Sequence, residues 1–314
     1  MGNCSPTSHS QSNTLDSIDL EELMANFTLN YTYDDDYPYD NSLVQPCHST
    51  YCMQFGVSIP PFLAVASILG LICNLILDVA LVRCPRLWDQ PHPSRTKLVL
   101  ISAAGTLFAS TLPFFAVASS RGWIFGDPFC QVAQGLKYGC LFAQSLMMAS
   151  TLCHVQRGFA NKIVLVLFLM GFVCAIPAAM SSSSTENICV PSQNLKLLSW
   201  SLGHTSVSLA LFDIFPVMAI LARVAQKWRG KNQWPQMDIT WLFPLFWAPY
   251  GVAQLLHILL QEKVLVATCP FQKHLDYFLG ISEGLGTVHC FLCPLLILGF
   301  SFCPRKSVPA LHSG

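Results

Sequence analysis

The sequence predicts an all-α membrane protein, a bundle of seven transmembrane helices with the N-terminus outside and the C-terminus inside. Three observations predict it. First, 53 % of the 314 residues are hydrophobic and only 11 % are charged, against about 25 % charged in a soluble domain. An apolar surplus of this size is buried in lipid. Second, seven runs approach or exceed the ~20 residues that cross a bilayer: 57–82, 98–118, 130–153, 163–180, 197–221, 239–260 and 275–300. Third, Lys and Arg divide unequally between the short connections. With the N-terminus outside, twelve fall inside (Arg83, Arg86, Arg95, Lys97, Arg157, Lys162, Arg223, Lys227, Arg229, Lys231, Arg305, Lys306) and four outside (Arg121, Lys196, Lys263, Lys273). Basic residues collect on the cytoplasmic side.

Taken in order, the chain opens with an acidic segment, 1–54. It holds Asp16, Asp19, Glu21, Glu22, Asp34, Asp35, Asp36 and Asp40, and no Lys or Arg precedes Arg83. Such a segment buries too little apolar surface to fold alone, and the partner it suits is basic. No apolar core follows Met1 closely enough for a cleaved signal peptide. Met1-Gly-Asn-Cys begins like a myristoylation signal, but Pro6 stands where Ser or Thr is required. Asn3, Asn26 and Asn30 lie in N-x-Ser/Thr sequons on the outer side, so glycosylation is expected there.

The bundle itself is expected over 55–302. Its third span carries Gln131, Gln134, Lys137 and Gln144. These groups are costly against lipid, which places this helix at the centre of the bundle. The seventh carries Glu283 and His289 at membrane depth, a pattern that marks a functional site. Asp213 beside Pro216 raises the same question. Asp78 sits near the cytoplasmic end, where it reaches water by extending along the apolar surface. A short cytoplasmic tail, 303–314, closes the chain; Pro304 and Pro309 disfavour a helix there. No internal repeat is visible, which weighs against the common transporter folds.

Fourteen cysteines are present. Cys73, Cys140, Cys153, Cys174, Cys290 and Cys293 fall within spans, and Cys84 and Cys303 face the cytosol, where disulfides rarely persist. Cys4, Cys47, Cys52, Cys130, Cys189 and Cys269 are outside. A Cys130–Cys189 bridge would tie a loop to the rim of the bundle. Cys47 or Cys52 with Cys269 would tie the acidic tail to the last outer loop. Connectivity does not follow from sequence alone; Cys130–Cys189 and Cys47–Cys269 are the pairs we expect. His289-Cys290-Phe-Leu-Cys293 has a metal-like spacing, but residues three apart in an apolar helix are packing residues, and no second ligand pair accompanies them. We expect no metal and no cofactor.

The motifs between these landmarks resemble those of the chemokine receptors, a branch of the rhodopsin-like G-protein-coupled receptors. Trp123-Ile-Phe125-Gly126 before Cys130 is similar to their first outer loop. Thr111-Leu-Pro113 matches the kink of their second span, Pro216 the proline of the fifth, and Phe246-Trp247-Ala-Pro249 the bend of the sixth. Glu283 followed by His289-Cys290 matches their seventh. The departures are equally ordered. Where the third span should end in Asp-Arg-Tyr, the chain reads Cys153-His154-Val155-Gln156-Arg157. Where the seventh should read Asn-Pro-x-x-Tyr, it reads Cys293-Pro294-Leu-Leu-Ile297. The second span has no Asp and the fourth no Trp. That combination resembles the atypical, non-signalling chemokine receptors over essentially the whole chain.

The resemblance implies a receptor, not an enzyme. It binds inflammatory CC and CXC chemokines promiscuously and sequesters, scavenges or transcytoses them without G-protein coupling. The implied locations are the plasma membrane and early and recycling endosomes. Malaria-parasite ligands and oligomers with other chemokine receptors are further implied partners; no nucleic acid is. The candidate ligand-binding residues begin in the tail, with Tyr31, Tyr33, Tyr37 and Tyr39 among Asp34, Asp35, Asp36 and Asp40. Acidic flanks favour tyrosine sulfation, and sulfate suits Lys- and Arg-rich partners. Tyr37 is the leading single position. Within the bundle, Lys137 lies seven residues from Cys130, or about 10 Å at 1.5 Å per residue. Glu283 lies at the matching depth by family alignment, where relatives read the ligand's N-terminus. Both are expected to face the cavity. The lost motifs form the switch that relatives use, so a ligand has little equilibrium to bias. Two alternatives stand: a signalling chemokine receptor with divergent motifs, distinguished by chemokine-evoked calcium flux, and a multi-spanning transporter, distinguished by solute flux without ligand.

Overall fold

The computed structural model describes residues 55–84, 95–149, 157–185, 188–191, 198–228, 242–261, 264–265 and 268–302. The expected tails at 1–54 and 303–314 lie outside these residues. In chain order the elements are α1 (Ile59–Arg83), α2 (Arg95–Arg121), α3 (Asp127–Ala149), α4 (Arg157–Cys174), the short α5 (Ile176–Ser181), strands β1 (Ser182–Thr185) and β2 (Ile188–Pro191), α6 (Leu198–Leu209), α7 (Phe215–Trp228), α8 (Leu242–Gln261) and α9 (Cys269–Phe302). A π-helical turn, Ala210–Ile214, joins α6 to α7. The strands pair antiparallel as a hairpin, with Ser184 opposite Cys189.

Six helical segments among the described residues are long and apolar enough to cross a membrane. They lie on α1, α2, α4 with α5, α6 through α7, α8 and α9. The remaining expected span, the third, is α3 and is the polar one. Its Gln134, Lys137 and Gln144 are buried against the other helices, the central position that their polarity demands. The lipid-directed faces of the outer helices carry exposed Val65, Leu75, Val166, Leu169, Val217 and Leu245. Without a hydrophobic drive between helices in lipid, close packing holds them together. Gly171 supplies it between α4 and α3, where an added side chain would strike the Ala143 backbone.

Prolines within the spans leave specific repairs. A proline lacks the N–H that the carbonyl four residues back would accept from. Pro113 in α2 frees the Ala109 carbonyl, and the Ser67 hydroxyl of α1 donates to it at 2.9 Å. Pro294 in α9 frees the Cys290 carbonyl, and the Asn74 amide of α1 donates to it at 3.0 Å. Pro216 meets the π turn. There the partner is five residues back, so the freed carbonyl is Leu211, and the Ser145 hydroxyl of α3 donates to it at 2.7 Å. In each case the group is satisfied from a different helix, as membrane depth requires.

Two apolar clusters fill the bundle. The larger gathers Phe108, Phe142, Phe212, Phe243, Trp247 and Tyr250. The other, at the end away from the hairpin, joins Leu77, Leu81, Leu98, Ile101, Met147, Val164, Cys293 and Ile297.

Candidate functional site

At the hairpin end, α3 and the hairpin are covalently joined. A disulfide links Cys130 to Cys189 across 59 positions, with the Cα atoms 5.6 Å apart. The Gln134 amide, one turn along α3, donates to the Cys189 carbonyl at 3.2 Å. Asp127 opens α3 and accepts from the Ser184 backbone N–H at 2.6 Å. Hydrogen bonds from Ser184 hold its carboxyl below the ordinary value. Beside them the loop 122–126 turns on Gly122 and Gly126, both at positive φ of 83° and 81°, a conformation that favours glycine. The turn buries Trp123, whose indole N–H donates to the Gly126 carbonyl at 2.9 Å. Phe115, Phe125 and Phe129 surround the ring.

Two turns down α3, the structure brings two buried charges together. Lys137 Nζ lies 2.6 Å from Glu283 Oε1 on α9. Both residues are buried, 8 % and 5 % exposed. The ammonium also stands 4.9 Å from the Phe115 ring centre and 5.5 Å from that of Tyr138, where ring quadrupoles attract a cation. From Tyr138 a polar chain crosses to α8. The Tyr138 and Tyr250 hydroxyls share a hydrogen bond of 2.8 Å, and the Gln254 amide donates to Tyr250 Oη at 2.6 Å. His204 of α6 packs its ring 4.3 Å from that of Tyr138. The site is therefore an ion pair with an aromatic collar and a hydroxyl relay, set below a disulfide-anchored hairpin.

Asp213 occupies a separate place. Its carboxylate, on the π turn, lies where a side chain on Gly251 of α8 would stand. Its Oδ2 is buried with no partner among the described residues. Asp78 is half-buried on α1. His289 packs against Phe243 and Phe246 at ring distances of 5.5 and 5.9 Å, and Cys290 and Cys293 are buried beside it in packing roles. Cys269 is disulfide-bonded; Cys47 and Cys52 lie outside the described residues. So do Asn3, Asn26, Asn30, Tyr31, Tyr33, Tyr37, Tyr39, Asp34, Asp35, Asp36 and Asp40.

Tyr138, Tyr250, Gln254 and His204 were not among the residues expected from sequence. Tyr138 follows Lys137 and Tyr250 follows Pro249, but an isolated tyrosine in a span signals nothing until its hydroxyl partner is known. Asn74, Ser67 and Ser145 were missed for the same reason. Their one available signal was that each proline must free a carbonyl.

A bundle of this kind, with a polar site beneath a bridged hairpin, is that of a seven-helix membrane receptor. The chain is 30 % identical to the atypical chemokine receptor 1 of Saguinus imperator, over 99 % of its length and 95 % of the relative's. The human and gorilla proteins of the same name are each 27 % identical, with the same coverage. No family model matches the chain. The chain belongs to the atypical chemokine receptor 1 family, that of the Duffy antigen.

Proposed function

We propose that this receptor binds CC and CXC chemokines and sequesters, scavenges or transcytoses them without coupling to a G protein. In this reading the N-terminus lies outside and the hairpin end faces the ligand. The tail makes the first contact. Its acids and sulfated tyrosines attract basic chemokines, mainly by raising the rate of encounter. A tail that orders only on binding loses conformational entropy, but it accepts many basic surfaces. A Cys47–Cys269 bridge holds the tail to the rim. Lys137 and Glu283 form the deeper contact, and loaded receptors cycle through endosomes.

One observation carries the non-coupling half of this reading. Cys293 and Ile297, in place of the family's Asn and Tyr, belong to a packed apolar cluster with Leu77, Leu98 and Met147. The charged site lies ten residues before Cys293 on the same helix, α9. A ligand moves a conformational equilibrium only through differential affinity for two states, and the side chains at these two positions are not the amide and the hydroxyl that relatives use as a switch. The test is to bind labelled CC and CXC chemokines to cells expressing the chain, and to follow internalisation and G-protein activation in parallel. The reading expects binding and uptake with no activation; activation would favour a signalling receptor.

A further inference from the structure

The end of the bundle away from the hairpin carries a charge imbalance of its own. Helices α1, α2 and α4 bring five basic residues to that end: Arg83, Arg95, Lys97, Arg157 and Lys162. The same three helices hold one carboxylate along their whole length, Asp78. Three of the cations are exposed: Arg83, the last residue of α1; Arg95, the first of α2; and Lys162, in the second turn of α4. They rim a single apolar cluster. Arg83 follows Leu81 by two residues, Arg95 precedes Leu98 by three, and Lys162 precedes Val164 by two. Leu81, Leu98 and Val164 pack together.

The neighbouring surface sets the level at which these cations stand. Val79 and Val82 on α1, Val99 on α2, and Leu165 and Val166 on α4 are exposed beside them, the apolar face that lipid covers. The cations therefore lie where three helices leave the hydrocarbon, at the phospholipid headgroups. Basic residues in loops suffice to orient a chain, but these three are fixed to helical turns. Helices α2 and α4 also begin at this end, and the free N–H groups of a helix N-terminus add positive potential. A phosphatidylcholine headgroup brings no net charge, and phosphatidylserine a single negative one. Each phosphate monoester on an inositol ring brings about −1.5 to −2, with acceptor oxygens that a guanidinium fork takes in pairs. We infer that the α1–α2–α4 end is a binding site for a polyanionic phospholipid, an inositol bisphosphate headgroup of the inner leaflet, held by Arg83, Arg95 and Lys162. This rests on the reading that the hairpin end lies outside.

Native mass spectrometry of the full chain in detergent tests it, by titration with phosphatidylinositol bisphosphate, phosphatidylserine or phosphatidylcholine. The bisphosphate is expected to bind roughly tenfold more tightly than phosphatidylserine, and phosphatidylcholine most weakly. Arg83→Gln/Arg95→Gln/Lys162→Gln, whose thermal melt reports folding, should bring the bisphosphate to the level of the serine lipid. Arg95→Gln alone, at an exposed first-turn position, should give part of that loss. Arg223→Gln/Lys227→Gln on α7 removes charge from the same membrane face and should leave the preference intact. No preference for the bisphosphate, a preference that survives the triple variant, or an equal loss in the α7 variant overturns the inference. An epitope placed after Gly314, stained with and without permeabilising the cells, reads the orientation separately. A tag reached on intact cells would overturn the orientation, and with it the choice of leaflet, while the headgroup titration would stand.

Discussion

The Asn74 amide on α1 donates to the Cys290 carbonyl on α9. Pro294 has deprived that carbonyl of its helical donor. The same amide donates to the Gly70 carbonyl within its own helix at 2.8 Å, so one buried side chain ties the first and last spans together. Replacing it with Leu removes the donor and leaves a buried carbonyl unsatisfied. Such a loss costs roughly 1–3 kcal/mol. Asn74→Leu should therefore lower the melting temperature of the purified receptor. Ser67→Ala, which strips the Ala109 carbonyl, should do the same by a smaller step.

Gly105 on α2 makes room for Asn74. A Cβ there would lie 2.6 Å from the Asn74 Oδ1 and 2.8 Å from Nδ2. The second span has no Asp, and the Asn74 amide fills the space beside Gly105. Gly105→Ala should destabilise, and Gly105→Asp more so. Combining Gly105→Ala with Asn74→Ala should recover part of the loss, because contacting residues couple by about 0.5–3 kcal/mol. Strict additivity in a double-mutant cycle would contradict the contact.

The buried ion pair predicts an asymmetric mutational pattern. Glu283→Leu strands the buried lysine, and Lys137→Met takes from Glu283 its partner at 2.6 Å. Each should cost on the order of 3–5 kcal/mol. The double apolar variant should regain most of that stability. Thermal melts of the four receptors in one detergent measure it directly.

Asp127 makes the hairpin contact pH-dependent in a known direction. Its folded-state carboxyl lies below the ordinary value of 3.8, because Ser184 donates to the charged form. A depressed carboxyl contributes fully above its unfolded value and loses that contribution as pH falls through the folded one. Hairpin protection in hydrogen exchange should therefore hold between pH 7 and about 5 and weaken only below about 4. In Asp127→Asn that pH dependence should disappear.

In the tail, Tyr37→Phe removes the hydroxyl at which we propose sulfation. Chemokine capture should weaken several-fold at physiological salt, chiefly through slower association. The difference between wild type and variant should shrink near 1 M salt, where screening reaches about 3 Å. Equal affinity at physiological salt would remove Tyr37 from the contact set.

Much of this architecture was legible before any coordinates. Hydrophobic runs define spans because lipid admits only internally satisfied backbone, and the buried glutamines of α3 marked the central helix. Lys137 and Glu283 could be placed at one depth from Cys130 and the family motif, but depth does not say which way a side chain turns. Their meeting depends on the rotation of two helices about their axes, which short-range pattern does not encode. The hairpin β1–β2 was likewise invisible, since Ser182 to Thr185 is a run of hydroxyl residues with no alternation. The π turn at 210–214 adds one residue to a helical repeat, and sequence periodicity is too coarse to register it. Asp213 was consequently noticed as a charge but not placed against Gly251.

Ser67, Ser145 and Asn74 share one role in three different spans. Proline bends in helices leave one turn without its usual hydrogen bond. Here three such bends have their loose carbonyl fastened to a neighbouring helix. Each works as a bracket, a second point of attachment for the turn that the proline leaves open. In three spans the bend is therefore secured from outside the helix that makes it.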